Sequence, residues 1–244
     1  MNILPNVEIV NLALYLDNTL IISDVHIGYE EVLNRQGVLV PRLQFEDIAK
    51  SMQVIFSILQ DRNIERIIVN GDLKHEFGTI SEQEWRNTLK FLDLLAKHSQ
   101  EIILIKGNHD TILGPIAKKK NIKVADIFIL GSNKNKVLIT HGDKIPDEKI
   151  WKEASAIIIG HEHPAISLKE GSKIETYKCF LKGKYKGRNL IAQPSFNTMI
   201  EGTDILKDKI LSPYLQQNLD NFEVYVVEDK VYDFGKLRKL RNRV

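Results

Sequence analysis

The sequence predicts an α/β protein in which a layered, mainly parallel sheet packs against a second, mixed sheet. Three observations carry this expectation. Over the first 110 residues, strand-length apolar runs alternate with amphipathic helical stretches in the order β-α-β-α-β, the pattern of a parallel sheet with helical crossovers. Beyond Pro164 the pattern changes to short strands and hairpins. Five apolar runs, Thr19–Ser23, Arg66–Asn70, Ile102–Lys106, Val137–Thr140 and Ala156–Ile159, each end in a small cluster of Asp, Asn and His. A parallel sheet gathers its strand ends on one edge, so these clusters can converge.

Each element has a local reason. Ile9–Leu16 alternates loosely, and Asp17-Asn18 suits a hairpin turn into Thr19–Ser23. Tyr29–Gln36 reads as a short helix stopped by Gly37. After Pro41 a longer helix places Ile48, Met52, Ile55, Phe56 and Leu59 on one face. Ser81-Glu82-Gln83-Glu84 is a capping box opening a helix that turns Trp85, Leu89, Leu92 and Leu95 inward. A short helical piece around Pro146–Glu153 separates the fourth and fifth runs. Leu190–Ala192, Phe222–Val227 and Val231–Phe234 read as late strands, the last two joined by a turn at Glu228-Asp229. With no internal repeat and no Pro/Gly/Ser-rich linker, residues 1–244 are expected to form one domain, with 165–244 completing the second sheet and leaving room for at most a small cap.

Composition narrows the function classes. The 244 residues carry 34 Lys+Arg against 32 Asp+Glu, a formal net charge of +2, so no global charge argues for nucleic acid. Cys179 is the only cysteine, which excludes an internal disulfide and a thiolate metal site. No apolar run approaches the ~18 residues of a membrane span, and the start of the chain lacks a leader pattern. A cytoplasmic location and no membrane partner are expected.

The clusters are Asp24-Val25-His26, Gly71-Asp72, Gly107-Asn108-His109-Asp110, His141-Gly142-Asp143 and Gly160-His161-Glu162-His163. They hold five of the seven histidines. Residues one apart in a loop, such as Asp24 with His26 or His161 with His163, can face a common point. A carboxylate such as Asp72 has two oxygens and can bridge two ions, and a pair of divalent ions ~3.5–4 Å apart is a device for displacement at phosphorus. Imidazole, carboxylate and amide together suit Mn, Fe or Zn. Each cluster alone is weak evidence, since Gly-Asp is ordinary turn chemistry and a lone His is commonly structural. The ordered set, each member after a strand, is specific.

This ordered set resembles the calcineurin-like metallophosphoesterase superfamily. The wording of Ser23-Asp24-Val25-His26-Ile27-Gly28-Tyr29-Glu30 and Gly71-Asp72-Leu73-Lys74-His75 is similar to the archaeal and bacterial branch related to SbcD-type exonuclease subunits. The resemblance covers Asp24 to His163. It implies a four-layer α/β sandwich of two mixed β-sheets flanked by helices. It also implies a phosphoesterase with two divalent ions, manganese first and iron or zinc as alternatives. One ion is then held by Asp24, His26 and His163, the other by Asn108, His141 and His161, with Asp72 bridging. His109 becomes a non-ligand acid, Asp110 the residue that orients it, and the nucleophile a metal-bridging hydroxide. The expected substrate is a phosphodiester of nucleic acid or a nucleotide, with phosphomonoesters and cyclic nucleotides as alternatives. Relatives that act as interaction scaffolds, such as a subunit of the retromer coat, have a degraded site, whereas here every ligand position is filled.

The neighbours have plainer readings. His75 either touches substrate or supports Asp72, with packing or plain surface as the alternative, His98 is a helix-end surface residue, and Asp143 a turn residue or a brace for His141. Glu162 is expected to point away from the site and Cys179 to fill the core. Three basic stretches are candidates for phosphate contact: Lys118-Lys119-Lys120, the Lys182/Lys184/Lys186/Arg188 alternation, and 236–243. If 182–188 is extended, the alternation places four charges on one strand face.

Overall fold

The computed structural model describes residues 1–76, 81–110, 113–132, 135–171 and 173–241. Asn242 and Arg243, at the end of the third basic stretch, lie outside the described residues. Sixteen strands and six helices are present among the described residues.

The first sheet has the order β1-β2-β3-β4-β5-β6-β7. Strands β1 (Asn2–Leu4), β2 (Val7–Val10), β3 (Ala13–Leu16) and β4 (Thr19–Ile22) form an antiparallel meander. From β4 onward, β5 (Arg66–Asn70), β6 (Glu101–Ile105) and β7 (Lys123–Ala125) run parallel. The single run expected over Ile9–Leu16 is two strands. The break falls at Asn11, whose φ of 54° turns the chain back, a conformation asparagine tolerates better than most residues.

Helices α1 (Tyr29–Arg35), α2 (Gln44–Ile58), α3 (Glu82–Ala96) and α4 (Gly114–Lys120) connect these parallel strands. The predicted face of α2 is buried, with Ile48, Met52, Ile55, Phe56 and Leu59 in the core. Burying side chains of this size contributes roughly 1.5–3 kcal/mol each. Ser81 caps α3, its hydroxyl accepting from Glu84 N at 3.1 Å. The other half of the capping box is used elsewhere: the Glu84 carboxylate accepts from the backbone of His75 (3.0 Å) and Glu76 (3.2 Å).

The second sheet has the order β14-β11-β12-β13-β10-β9-β8, with β15 paired to β12 and β16. Its members are β8 (Ile127–Leu130), β9 (Val137–Thr140), β10 (Ala156–Ile159), β11 (Pro164–Glu170), β12 (Lys173–Tyr185), β13 (Arg188–Ala192), β14 (Thr203–Asp204), β15 (Glu223–Val227) and β16 (Val231–Lys236). Strands β9, β10 and β13 are parallel and the β12–β13 pair is antiparallel. Side chains of β9 and β10 alternate between two cores. Ile139 and Ile158 pack toward the first sheet, while Leu138, Ile157 and Ile159 pack with Trp151 of α5 (Glu148–Lys152) and Leu237 and Leu240 of α6 (Leu237–Arg241). Both faces are thus covered, which explains why these strands read as uniformly apolar runs. The result is the four-layer α/β sandwich of two mixed sheets flanked by helices.

The segment 182–188 is not one extended strand. Tyr185 pairs with Arg188 around a turn in which Lys186 and Gly187 have φ of 46° and 85°. Lys182 and Lys184 lie on one strand, Lys186 at the tip, and Arg188 on the next strand, so the four charges do not share one strand face. Among the described residues no helix is long and apolar enough to cross a membrane.

Candidate metal centre

The five clusters follow β4, β5, β6, β9 and β10, and all five strands point the same way out of their sheets. Backbone hydrogen bonds extend the strand register into the loops. Asp24 N donates to Gly71 O (3.1 Å), His26 N to Asp72 O (2.9 Å) and Ile27 N to Leu73 O (3.0 Å). In the second sheet Gly160 N donates to His141 O (2.8 Å). The sheets are tied at this edge by Phe196 N to Ser23 O (2.8 Å), Ser195 Oγ to Asp24 O (2.7 Å) and Gln193 Nε2 to Ile21 O (3.2 Å).

Backbone conformation explains the residue types. Asp24, His26, Asp72, His161 and His163 all have φ between 47° and 64°. The left-handed region is uncommon for residues other than glycine, and Asp, Asn and His are the side chains most often found there. The strain is held by the inter-loop bonds above and turns successive side chains toward one point. Two glycines make room. A Cβ on Gly107 would overlap Asp72 Oδ1, and a Cβ on Gly160 would overlap Ser23 Oγ and Asp24 Oδ2.

The seven candidate ligands are brought together. Donor atoms of Asp24, His26 and His163 lie within 4.8 Å of one another, and so do those of Asp72, His141 and His161. Asn108 Oδ1 is 3.0 Å from His141 Nε2. Asp72 Oδ2 sits between the groups, 3.6 Å from His26 Nε2 and 3.4 Å from His141 Nε2. Asp24 Oδ1 is 3.1 Å from His163 Nε2 and 3.6 Å from His141 Nδ1.

Electrostatics match this geometry. Burial pushes Asp24 and Asp72 up, but His163 beside Asp24 and His141 beside Asp72 bring both carboxyls below their ordinary range. Burial works against a proton on His141, yet its bond to Asp72 and the charge of Asp24 raise it to about 9. Burial, with His163 nearby, holds His26 well below the usual imidazole value. Burial, with His141 nearby, lowers His161. Among the described residues the ion-pair partners of Asp24 and Asp72 are all imidazoles. Two ionised carboxylates facing neutral-capable nitrogens in a buried cup form a donor set that suits divalent cations.

His109 lies at the rim, its Nε2 4.0 Å from Asp72 Oδ2 and its backbone N donating to Asp72 Oδ1 at 2.9 Å. Asp110 does not take the orienting place expected of it. Its buried carboxylate accepts from Gly107 N (3.1 Å), Leu73 N (3.3 Å) and Lys74 N (3.4 Å), and burial with the Asp72 charge raises it to about 7. His109 Nδ1 instead lies 2.5 Å from the His75 carbonyl oxygen.

The remaining predicted residues are dispersed. His75 joins the rim, its Nδ1 3.2 Å from His26 Nδ1, and burial and His109 lower it to about 4. Glu162 turns away from the centre and accepts from Leu211 N (2.9 Å) and Ser212 N (2.6 Å). His98 stacks on Phe56 with centroids 3.7 Å apart, beside a surface cavity of about 480 Å³. Cys179 is buried in β12. Three residues near the site are not evident from sequence patterning: Gln44, whose Nε2 donates to His26 O at 2.8 Å, and the buried Lys74 and Glu84. A charged residue in a loop or the first turn of a helix reads as solvated, and only its tertiary partners reveal otherwise.

The calcineurin-like phosphoesterase model matches residues 18–194. The chain belongs to this family. Among solved structures, a nuclease MPE from Pseudomonas putida matches at TM-score 0.61 with 18% identity, over 91% of each chain. A protein of unknown function from Aquifex aeolicus matches at 0.39 with 18% identity, over 59% of this chain and 78% of that one. Vacuolar Protein Sorting 29 from Cryptosporidium parvum matches at 0.41 with 13% identity, over 89% and 97%. No curated protein matches the sequence. At 18% identity the likeness to the Pseudomonas putida structure speaks for the fold alone.

Proposed function

We propose that this phosphoesterase-family chain is a hydrolase that uses two divalent ions, manganese first, to cleave a phosphodiester of nucleic acid or a nucleotide. The observation that carries the reading is Asp72, whose Oδ2 lies 3.6 Å from His26 and 3.4 Å from His141, between two donor groups. Asp24, His26 and His163 would hold one ion and Asn108, His141 and His161 the other, with Asp72 shared. Ions bound there supply Lewis-acid stabilisation at phosphorus and lower the pKa of water. His109 Nε2 faces the same space and gives a proton to the departing oxygen. The water oxygen ends on phosphorus, the ester P–O bond breaks, and the water's surplus proton leaves to solvent. The diester preference is supported by the likeness of Ser23–Glu30 and Gly71–His75 to SbcD-type exonuclease subunits.

The test is a manganese-supported panel of an artificial diester, an artificial monoester, cyclic nucleotides, and single- and double-stranded DNA and RNA. About two metals per chain by elemental analysis are expected, with turnover of the artificial diester or of DNA or RNA. No tight metal after manganese loading overturns the reading, and turnover confined to monoesters or cyclic nucleotides replaces the substrate class. His109→Ala keeps the metal count and loses roughly 10²–10⁴-fold in kcat. Unchanged turnover removes His109 from its role.

A further inference from the structure

Two buried charges that the metal centre does not use meet at the loop after β5: Lys74 within it and Glu84 in the first turn of α3. Lys74 is 0% and Glu84 1% exposed. Glu84 Oε1 accepts from His75 N and Glu76 N, while Lys74 Nζ donates to Glu76 O and, at 2.9 Å, to His109 O. Lys74 therefore grips both the 72–76 loop and the 107–110 loop. His75 N also donates to Ile27 O at 3.0 Å. With these groups tied, the His75 carbonyl points at His109 Nδ1, 2.5 Å away. A carbonyl oxygen only accepts, so Nδ1 must carry the hydrogen. Nε2 is then the nitrogen that exchanges a proton with whatever occupies the centre.

We infer that Lys74 and Glu84 are positioning residues that hold the His75 carbonyl against His109, thereby fixing the Nδ1–H tautomer and aiming Nε2 into the centre. The inference rests on the acid role proposed above for His109. It assigns to a backbone carbonyl the orienting part that a carboxylate beside a histidine commonly plays. Burying a lysine and a glutamate is costly, and two apolar residues of similar volume would pack as well. What the charges provide is direction: Glu84 fixes two N–H groups on one side of the 75–76 segment, and Lys74 fixes a carbonyl on the other.

The experiment reads the tautomer directly. Long-range proton–nitrogen spectra of the histidine rings are recorded on zinc-loaded protein, which is diamagnetic, with His109 assigned by its loss in His109→Ala. The wild type is expected to show Nδ1–H, and an Nε2–H tautomer overturns the inference. Glu84→Ala and Lys74→Met are expected to show mixed tautomers. Under manganese their kcat should fall roughly 10–100-fold on a diester with an alkoxide leaving group, and less on a nitrophenyl diester that needs no acid. Glu84→Gln retains an acceptor oxygen and should restore both readouts. Equal losses on the two esters with an unchanged tautomer would reduce the pair to packing. If Glu84→Ala does not fold, the wild-type tautomer and the other two variants decide. If the wild type turns over no ester, the proposed function fails while the spectra still judge the positioning.

Discussion

The two ends of the sandwich treat ionisable side chains in opposite ways. Where β4, β5, β6, β9 and β10 finish, the buried carboxylates of Asp24 and Asp72 lie 3.6 and 3.4 Å from the two ring nitrogens of the buried His141. Where β5 and β6 begin, Arg66 and Glu101 pair at 2.6 Å with both side chains partly exposed. The Lys186-Gly187 turn lies at that same end, because β13 leaves it parallel to β10, Asn189 opposite Ala156. An exposed pair contributes about 0–1 kcal/mol and needs nothing else. Among the described residues the buried carboxylates have imidazoles alone as ion-pair partners, an arrangement that suits a cation. The comparison separates charges that solvate a surface from charges assembled for a ligand.

The strongest way to break this contrast is to remove the shared carboxylate. Asp72→Asn keeps the shape and deletes the charge between the two donor groups. Turnover should fall by more than ~10³-fold, the equivalent of several kcal/mol of lost charge stabilisation, and the metal count should drop. An active Asp72→Asn enzyme with both metals would show that the two groups do not act as one centre.

A second variant tests the backbone rather than the charge. Gly107→Ala places a methyl group onto Asp72 Oδ1 and close to Asp72 N, so the loops after β5 and β6 must separate. Overpacking of this kind costs about 1–3 kcal/mol, which calorimetry would register as a fall of several degrees in Tm. Metal stoichiometry should fall with it. An unchanged Tm with full metal binding would mean the loops adapt, and that their close approach does not set the site.

The same contrast explains what was legible beforehand. The clusters could be read because each is a run of consecutive residues at the end of a strand, so local order carried the information. β9 and β10 could be read because burial on both faces leaves an unbroken apolar run. By contrast, β7 and β14 are two or three residues long with mixed composition, Lys123–Ala125 and Thr203–Asp204, and exist only through their partners. β12 turns across three neighbours, pairing with β11, β13 and β15 along its length, which no single period describes. Lys74 and Glu84 stayed hidden because a buried charge is defined by the groups it meets from other parts of the chain. Asp110 differs from expectation for the same reason: adjacency to His109 in sequence suggests a partner, whereas the fold gives its carboxylate to three backbone N–H groups.

The smallest expected effect comes from the opposite end. Lys184→Glu with Lys186→Glu reverses two charges of the basic alternation, and a groove along one strand face would make nucleic-acid binding collapse. The geometry predicts otherwise. Lys184 pairs in register with Asn189, itself level with Ala156, so it lies at the start of β10 while His161 follows its end. At about 3.3 Å per residue the separation exceeds 10 Å. Lys186 Nζ already lies over the Trp151 and Tyr185 rings, 5.3 and 5.4 Å from their centroids. Lys182, next along the alternation, is paired with Glu223 at 2.7 Å. Turnover of a small diester should therefore stay within about twofold of wild type, and the salt dependence of any nucleic-acid binding should keep its slope. A slope reduced by one or two would show that phosphates reach this end, and that the surface charges there serve a ligand as the buried ones do.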